Sequence, residues 1–214
     1  MVRTRMSRIA KKAGAYHHGN LRSVLLETAV RVIEKEGVAA VSLHALTRRA
    51  GVSSGAPYHH FASREQLLAA VAAQGFTLLV GAMRQAVADS TEDPLAQLEG
   101  LGRAYIQFSI SHRGHFRVMF RAELRAHATK EEREIGDEAF DLLEQVIIRC
   151  QQAGCIASGD VAPLALLAWS TVHGASDLWI EGSLSEEGLV RDEKTLAETV
   201  TSTLRRLMAG QLRA

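Results

Sequence analysis

The sequence has little of what characterises disulfide-rich, membrane-spanning or β-rich proteins. Only 5% of the 214 residues are aromatic, and there are three prolines and two cysteines. Two cysteines are too few for a disulfide framework. No apolar run reaches the roughly 18 residues that indicate a membrane span, and no apolar segment follows the basic first 15 residues, as a secretory signal would require. We therefore expect a cytoplasmic protein.

The apolar residues follow a helical pattern. No segment alternates with a period of two for long enough to be a strand, whereas apolar residues recur at 3.6-residue spacing in about nine segments. Ser, Asn or Asp precedes several of these segments and can cap a helix, as Asn20 does for the first segment. Gly37, Gly51 and Gly154 can end three of them. The pattern predicts an all-α fold.

Two further local patterns are specific enough to be checked. Ser63 and Gln66 have the spacing of a capping box at the start of a long helix. Phe116, Met119, Phe120 and Leu124 form one apolar stripe, which predicts a single helix there.

Charge divides the chain into two unlike parts. Residues 1–66 contain eleven Lys/Arg and four Asp/Glu, a formal charge of +7, whereas residues 67–214 contain fourteen and twenty, a charge of −6. A basic unit joined to an acidic one is typical of a protein that binds a polyanion through one end. Residues 1–15 supply most of the positive excess, so a basic tail alone is the alternative explanation.

Two short helices in the basic part have the pattern of a helix-turn-helix. Ser42 can cap the first, and Ser53 or Ser54 can start the second, which is predicted to run to about His60. Residues 50–52 (Ala-Gly-Val) form the turn, where glycine permits a tight backbone. Small residues at the start of the second helix let its N-terminus approach base edges and phosphates. The spacing alone also fits an ordinary helical hairpin.

The residues around this turn carry a more specific signal. The run from Leu43 to Ser53, followed by Tyr58-His59-His60-Phe61 and by Ser63 to Leu68, resembles the N-terminal signature of tetracycline-repressor (TetR) family regulators. That match spans roughly residues 17–76.

A second resemblance lies in the acidic part. Trp169, with His173-Gly174 four residues later, is similar to the Trp-His-Gly (WHG) motif that names one subgroup of the family. Residues 16–22 resemble the start of that subgroup. The resemblance therefore covers nearly the whole chain.

The family resemblance implies the domain organisation. A basic arm (1–15) precedes a three-helix DNA-binding domain (16–66), and a helical ligand-binding and dimerisation domain (67–214) follows. The last two helices are expected to pair with a second subunit. The implied function is a transcriptional regulator, in its simplest form a repressor, that binds a palindromic operator as a homodimer and is modulated by a small-molecule effector.

The DNA contacts implied by the resemblance lie in and after the second helix. Thr47 stands where the family usually has Ala, and Pro57 where it usually has Leu; we expect both to be accommodated. Ala56 is expected to meet a thymine methyl group or to pack against the groove. The expected contact residues are Ser42, Thr47, Arg48, Ser53, Ser54, Gly55, Ala56, Tyr58 and His59.

The effector contacts are expected among aromatic and polar residues of the acidic part. His173 and Asp177 lie one helical turn apart and can orient a ligand by hydrogen bonding. Alternatively, they satisfy each other at the dimer seam. The expected ligand-binding residues are Tyr105, Phe108, Phe116, Phe120, Trp169, His173 and Asp177, with Met119 as a further candidate wall.

Other functions fit the sequence less well. His112 and His115 have a spacing that a metal can use, but no carboxylate or cysteine completes a site. Cys150 and Cys155 suit helix packing better than a redox pair. An enzyme built on His173 lacks an evident oxyanion loop, and a purely architectural DNA binder needs no large acidic body. We expect no metal, no cofactor and no catalytic activity.

Overall fold

The structure is a computed structural model that describes residues 21–186 and 188–210. The α-helices in these residues are α1 (Leu21–Glu36), α2 (Leu43–Ala50), α3 (Arg64–Asp89), α4 (Pro94–Ser111), α5 (Arg113–Met119), α6 (Ala122–Arg125), α7 (Lys130–Gln152), α8 (Val161–Ile180), α9 (Ser183–Glu186) and α10 (Glu193–Met208). Short 3₁₀ segments lie at Val38–Ala40 and Ala56–His59. The all-α prediction is confirmed. The expected basic arm, the predicted cap Asn20 and the motif residues 16–20 lie outside the described residues.

The first turn of α2 forms as its sequence predicts. The Ser42 hydroxyl oxygen accepts a hydrogen bond from the backbone N–H of Ala45 at 3.1 Å, which satisfies one of the free donors at the helix start. Gly51 ends the helix in the left-handed conformation with φ of 69°, which glycine adopts without steric cost.

The expected third helix is shorter and tighter than predicted. Only Ala56–His59 is helical, and it is a 3₁₀ segment rather than an α-helix that starts at Ser53 or Ser54. The N–H of Ala56 bonds to the Ser53 carbonyl at 3.1 Å, in the i→i+3 pattern. Pro57 has no N–H with which to form an α-helical bond to that carbonyl. Gly55 adds a residue with weak helix preference.

Two other local predictions are only partly right. Ser63 caps α3 by accepting from the N–H of Gln66 at 3.1 Å, but the Gln66 side chain accepts from Ala62 instead of completing a capping box. The predicted single helix is divided into α5 and α6. The backbone of Phe120 leaves helical geometry, with φ of −103° and ψ of 18°. Its ring packs against aromatic residues of other helices, among them Phe76 and Trp169. Tertiary packing thus overrides the local helical pattern.

Helix α3 is the central helix of the fold. It is long and apolar enough to cross a membrane by length and composition alone, with a mean hydropathy of 1.6 in its most apolar window, 61% of which is buried inside the protein. The helix packs against α4, α5 and α7, which accounts for its apolar composition. It also runs without a break through the expected domain boundary at residues 66 and 67.

Helix α5 lies against both α1 and α3 at very short range. A Cβ atom on Gly114 would lie 2.9 Å from the backbone oxygen of Val30 in α1, and one on Gly75 would lie 2.6 Å from the Met119 sulfur. The Arg117 guanidinium donates to the Ile33 carbonyl oxygen at 3.3 Å. These contacts join α1 of the N-terminal helices to the body.

Replacement of Gly114 by alanine should therefore destabilise the protein. The added methyl group would press on the α1 backbone, and overpacking of this kind typically costs about 1–3 kcal/mol. Gly81→Ala is the matched control, because a Cβ there meets nothing within 4 Å and alanine is the better helix former. Urea unfolding measures both. Equal stability of the two variants would contradict the close packing.

His115 should make the stability depend on pH. Burial, followed by neighbouring His112, lowers the pKa of His115, while Glu34 opposes the shift. The unfolded side chain has a pKa of about 6.5, so below that pH the unfolded chain holds more protons and the free energy of unfolding falls. Between pH 7.5 and 5.5, His115→Gln should lose less stability than wild type. Equal losses would contradict this, and His127→Gln, at an exposed position, is the control.

Candidate functional site

The segment that follows α2 presents an exposed polar surface. Tyr58 is 60% exposed, and Ser53, Ser54 and His59 are also exposed. The segment is anchored from below by Pro57, which is buried, and by Ala56, which packs against the core. Ser42, which caps α2, and Arg48 on α2 are exposed as well.

Thr47 differs from the other expected DNA contacts because it is only 2% exposed. Its hydroxyl donates to the His44 carbonyl oxygen at 2.8 Å, so the side chain is a packing residue of α2. The expectation that Thr47 contacts DNA through its side chain is therefore withdrawn.

Gly55 has no structural need to be glycine within the described residues. Its φ of −82° suits any residue, and a Cβ there would meet nothing within 4 Å. The missing side chain leaves room beside the exposed surface of the segment, where another molecule can approach the backbone closely.

A cavity of about 530 Å³ opens between α3, α4, α7 and α8. Its walls are mainly apolar and include several small residues, namely Ala69, Ala72, Ala73, Gly136 and Ala139. Pockets of this size and character typically hold small organic ligands. Charged side chains also line it, among them Arg125, which pairs with Asp137 at 3.0 Å.

An aromatic cluster forms one end of this cavity, with Phe120 at its centre. The Phe120 ring centroid lies 5.4 Å from that of Phe76, 5.8 Å from Trp169 and 4.7 Å from His173. Phe76, Tyr105, Phe120 and Trp169 line the cavity itself. Most of the expected ligand-binding residues are thus brought together although they are distant in sequence.

A hydrogen bond joins Tyr105 to His173 inside this cluster. The Tyr105 hydroxyl oxygen lies 2.8 Å from the His173 Nδ1 atom. Burial raises the pKa of Tyr105 well above its ordinary value, and burial lowers the pKa of His173, against a smaller opposite effect of Asp177. Both groups are therefore neutral at pH 7, and the expected alternative of a His173–Asp177 pair is replaced by a Tyr105–His173 pair.

A second cleft, of about 430 Å³, lies on the other side of Phe120. It is bounded by Gly37 and Val38 after α1, by Arg117 and Arg121, and by His173, Asp177 and Glu181 at the end of α8. Phe120 and Arg121 line both the cavity and the cleft. Phe116 and His173, expected in the ligand pocket, line the cleft rather than the larger cavity.

Besides Phe116 and His173, two more of the seven expected ligand residues do not line the cavity. Phe108 is buried and stacks on His112, with the ring centroids 4.8 Å apart, and lines neither space. Asp177 is exposed and lines only the cleft. The small residues of the cavity walls were not predicted, although paired alanines on the buried face of α3 are a signal of space beside a helix.

Of the histidines and cysteines considered as alternatives, His115 and Cys150 are buried, whereas His112 and Cys155 are half-buried. His115 Nε2 lies 3.3 Å from the Gln74 side-chain oxygen, and Cys150 and Cys155 are free thiols. Burial raises the pKa of Cys150 to about 11, so little reactive thiolate forms at neutral pH.

Comparisons with known proteins agree with this architecture. Residues 25–71 match the family described as "Bacterial regulatory proteins, tetR family", and residues 98–204 match "Tetracyclin repressor-like, C-terminal domain". Neither description names the Trp-His-Gly subgroup, which stays a prediction.

Individual relatives extend the match. A solved structure of a protein of unknown function from Rhodococcus sp. RHA1 is 35% identical, with a TM-score of 0.78, over 92% of this chain and 99% of that one. The HTH-type transcriptional repressor KstR2 of Mycobacterium tuberculosis strain H37Rv is 32% identical over 51% of this chain and 54% of its own length. The regulator FadR from Bacillus subtilis, solved in complex with stearoyl-CoA, shares the fold at 16% identity and a TM-score of 0.70, covering 89% of this chain and 99% of that one.

An N-terminal helix-turn-helix unit, a helical body with a ligand-sized cavity and matches to both domains of one family lead to the same conclusion. The chain belongs to the TetR family of bacterial transcriptional regulators.

Proposed function

We propose that this regulator is a repressor that binds a palindromic operator as a homodimer and is modulated by a small molecule held in the 530 Å³ cavity. The observation that carries the proposal is the position of α5. This helix contacts α1 of the DNA-binding end, and its Met119 side chain lines the cavity. A ligand that displaces α5 would also displace α1.

The DNA contacts are proposed on the exposed residues of α2 and the following segment. Ser53, Ser54 and Gly55 would approach the major groove, while Tyr58 and His59 reach phosphate oxygens. Ala56, expected to meet a thymine methyl group or to pack against the groove, is half-buried against the core and is proposed to support this surface from below. Ser42 and Arg48 would add further phosphate contacts.

A second copy of the chain is proposed to cover α8 and α10. Leu166 and Leu178 on α8 are 56% and 49% exposed, and Leu207 on α10 is 49% exposed. Exposed large apolar residues on the last two long helices favour a self-complementary interface with two-fold symmetry. Such a dimer would place the two reading segments about 34–36 Å apart on one face of the duplex.

The proposed effector has a largely apolar body. The cavity walls are mainly apolar, and the B. subtilis FadR, a regulator of the same fold, was solved in complex with stearoyl-CoA, which supports an effector of this kind. We propose that Tyr105, Phe120 and Trp169 contact the effector directly. The similarity to regulators supports a protein that acts by binding and not by catalysis, and a regulator of this kind works in the cytoplasm, where its DNA is.

Fluorescence anisotropy tests the proposed DNA binding. The protein should bind the duplex upstream of its own gene, and an excess of random duplex should not displace it at either of two salt concentrations. Phosphate contacts alone would give binding that both salt and random duplex abolish. That outcome would contradict sequence-specific recognition through the helix-turn-helix.

Gly55→Leu should weaken specific DNA binding without destabilising the fold. The backbone conformation accepts a side chain and the site is open in the free protein, but the leucine would keep the segment away from the bases. We expect a loss of about tenfold or more in specific affinity. Gly81→Leu is the control. Gly81 lies on α3, where a Cβ also meets nothing within 4 Å, and this variant should bind DNA with wild-type affinity. Unchanged binding by Gly55→Leu would place the DNA elsewhere.

A further inference from the structure

The cavity and the cleft together define a binding site in two parts, and this inference rests on the proposed function. We propose that the effector is an amphiphile. Its apolar chain fills the 530 Å³ cavity, and an uncharged polar arm passes Phe120 into the 430 Å³ cleft. There the arm would lie directly against the DNA-binding end of the protein.

The two spaces are adjacent and share walls. Phe120 and Arg121 line both. Tyr105 lines the cavity, and its hydrogen-bond partner His173 lines the cleft. The separation therefore consists of side chains, chiefly the Phe120 ring at the point where the backbone leaves α5.

The cleft differs in chemistry from the cavity. Arg117 and Arg121 lie on one side; they already donate to the Ile33 carbonyl and to Glu123, and each has further N–H groups. Asp177 and Glu181 offer carboxylate acceptors at the end of α8. The formal charges of these four side chains cancel, and His173 is neutral because burial lowers its pKa.

The charge balance selects the polar group of the ligand. An anionic group would meet the carboxylates, and a cationic group would meet the guanidinium groups. An uncharged group with both donors and acceptors, such as an amide or hydroxyl, can satisfy both sides. The favoured class is thus an apolar chain that continues into a short amide- or hydroxyl-bearing arm.

The cleft also borders the DNA-binding end directly. Gly37 and Val38 form one of its walls, and they connect α1 to α2. Gly37 has φ of 84°, a conformation that favours glycine, and its N–H bonds to the Ile33 carbonyl at 3.0 Å. A polar arm in the cleft would touch the segment that connects α1 to α2. The ligand would then contact both the body and the DNA-binding end of the protein.

Two probes with the same acyl chain test the two-part site. N-octanoylethanolamine carries an amide and a hydroxyl beyond the chain, whereas ethyl octanoate carries neither N–H nor O–H. Calorimetric titration of the wild-type protein should show the first binding about tenfold or more tightly, the effect expected from one or two additional hydrogen bonds. The first probe should also lower operator affinity more than the second.

Two tryptophan variants test whether the higher affinity of N-octanoylethanolamine arises in the cleft. Asp177→Trp fills the cleft from an exposed position and should reduce the difference between the probes to below about threefold. Gln145→Trp, exposed on α7 and lining neither space, should keep the wild-type difference.

Each alternative outcome is decisive. Equal affinities in wild type, binding of neither probe, or an advantage that survives Asp177→Trp would overturn the two-part site. The proposed function is judged separately, by operator binding without any probe. Operator-specific binding with equal probe affinities would refute only the two-part ligand, whereas loss of operator specificity would refute the proposed function.

Discussion

The close contact of α5 with α1 and α3 ties the DNA-binding end of the protein to its body. Glycines at positions 75 and 114 allow backbones to approach where a methyl group would collide with Met119 or with Val30. Protein interiors are packed so densely that a shift of α5 cannot be taken up by empty space around it. A movement of α5 must therefore move α1 or open the interface, and this connects events in the body to the position of the reading end.

The cavity can supply the free energy for a movement of α5, because it leaves space that a ligand can fill. Space that side chains do not fill forfeits dispersion contacts and lowers stability, and alanines 69, 72 and 73 on α3 leave that space. A ligand that fills the cavity stabilises the conformation to which it binds best. The coupling between two such sites in one protein is typically about 1–3 kcal/mol, a range that a few contacts with Met119 and Phe120 can supply.

Features that depend only on residues close in sequence were predictable from the sequence. The Ser42 cap and the Gly51 turn follow from local hydrogen bonding and from the backbone freedom of glycine. The predictions that were wrong rest on properties that helical periodicity does not include. The 3₁₀ form of Ala56–His59 follows from the missing N–H of Pro57 and the weak helix preference of Gly55, which periodicity does not weigh.

Long-range contacts explain the remaining differences at the site. Tyr105 and His173 are 68 residues apart, so sequence spacing pointed to Asp177, one turn away, as the histidine partner. Phe120 belongs to an apolar stripe but breaks the helix because its ring packs among residues from α3 and α8. The cavity and the cleft on its two sides form only when helices that are distant in sequence meet, so no local sequence pattern predicts either space.

In the proposed function, one polypeptide joins a DNA-binding segment to a ligand-binding body and acts as a symmetric dimer. Selection of bound sequences from a random duplex library, using the full-length protein, tests it most directly. A symmetric dimer should enrich a palindrome with half-sites about one helical turn apart. Enrichment of a single asymmetric site, or of no sequence at all, would contradict it.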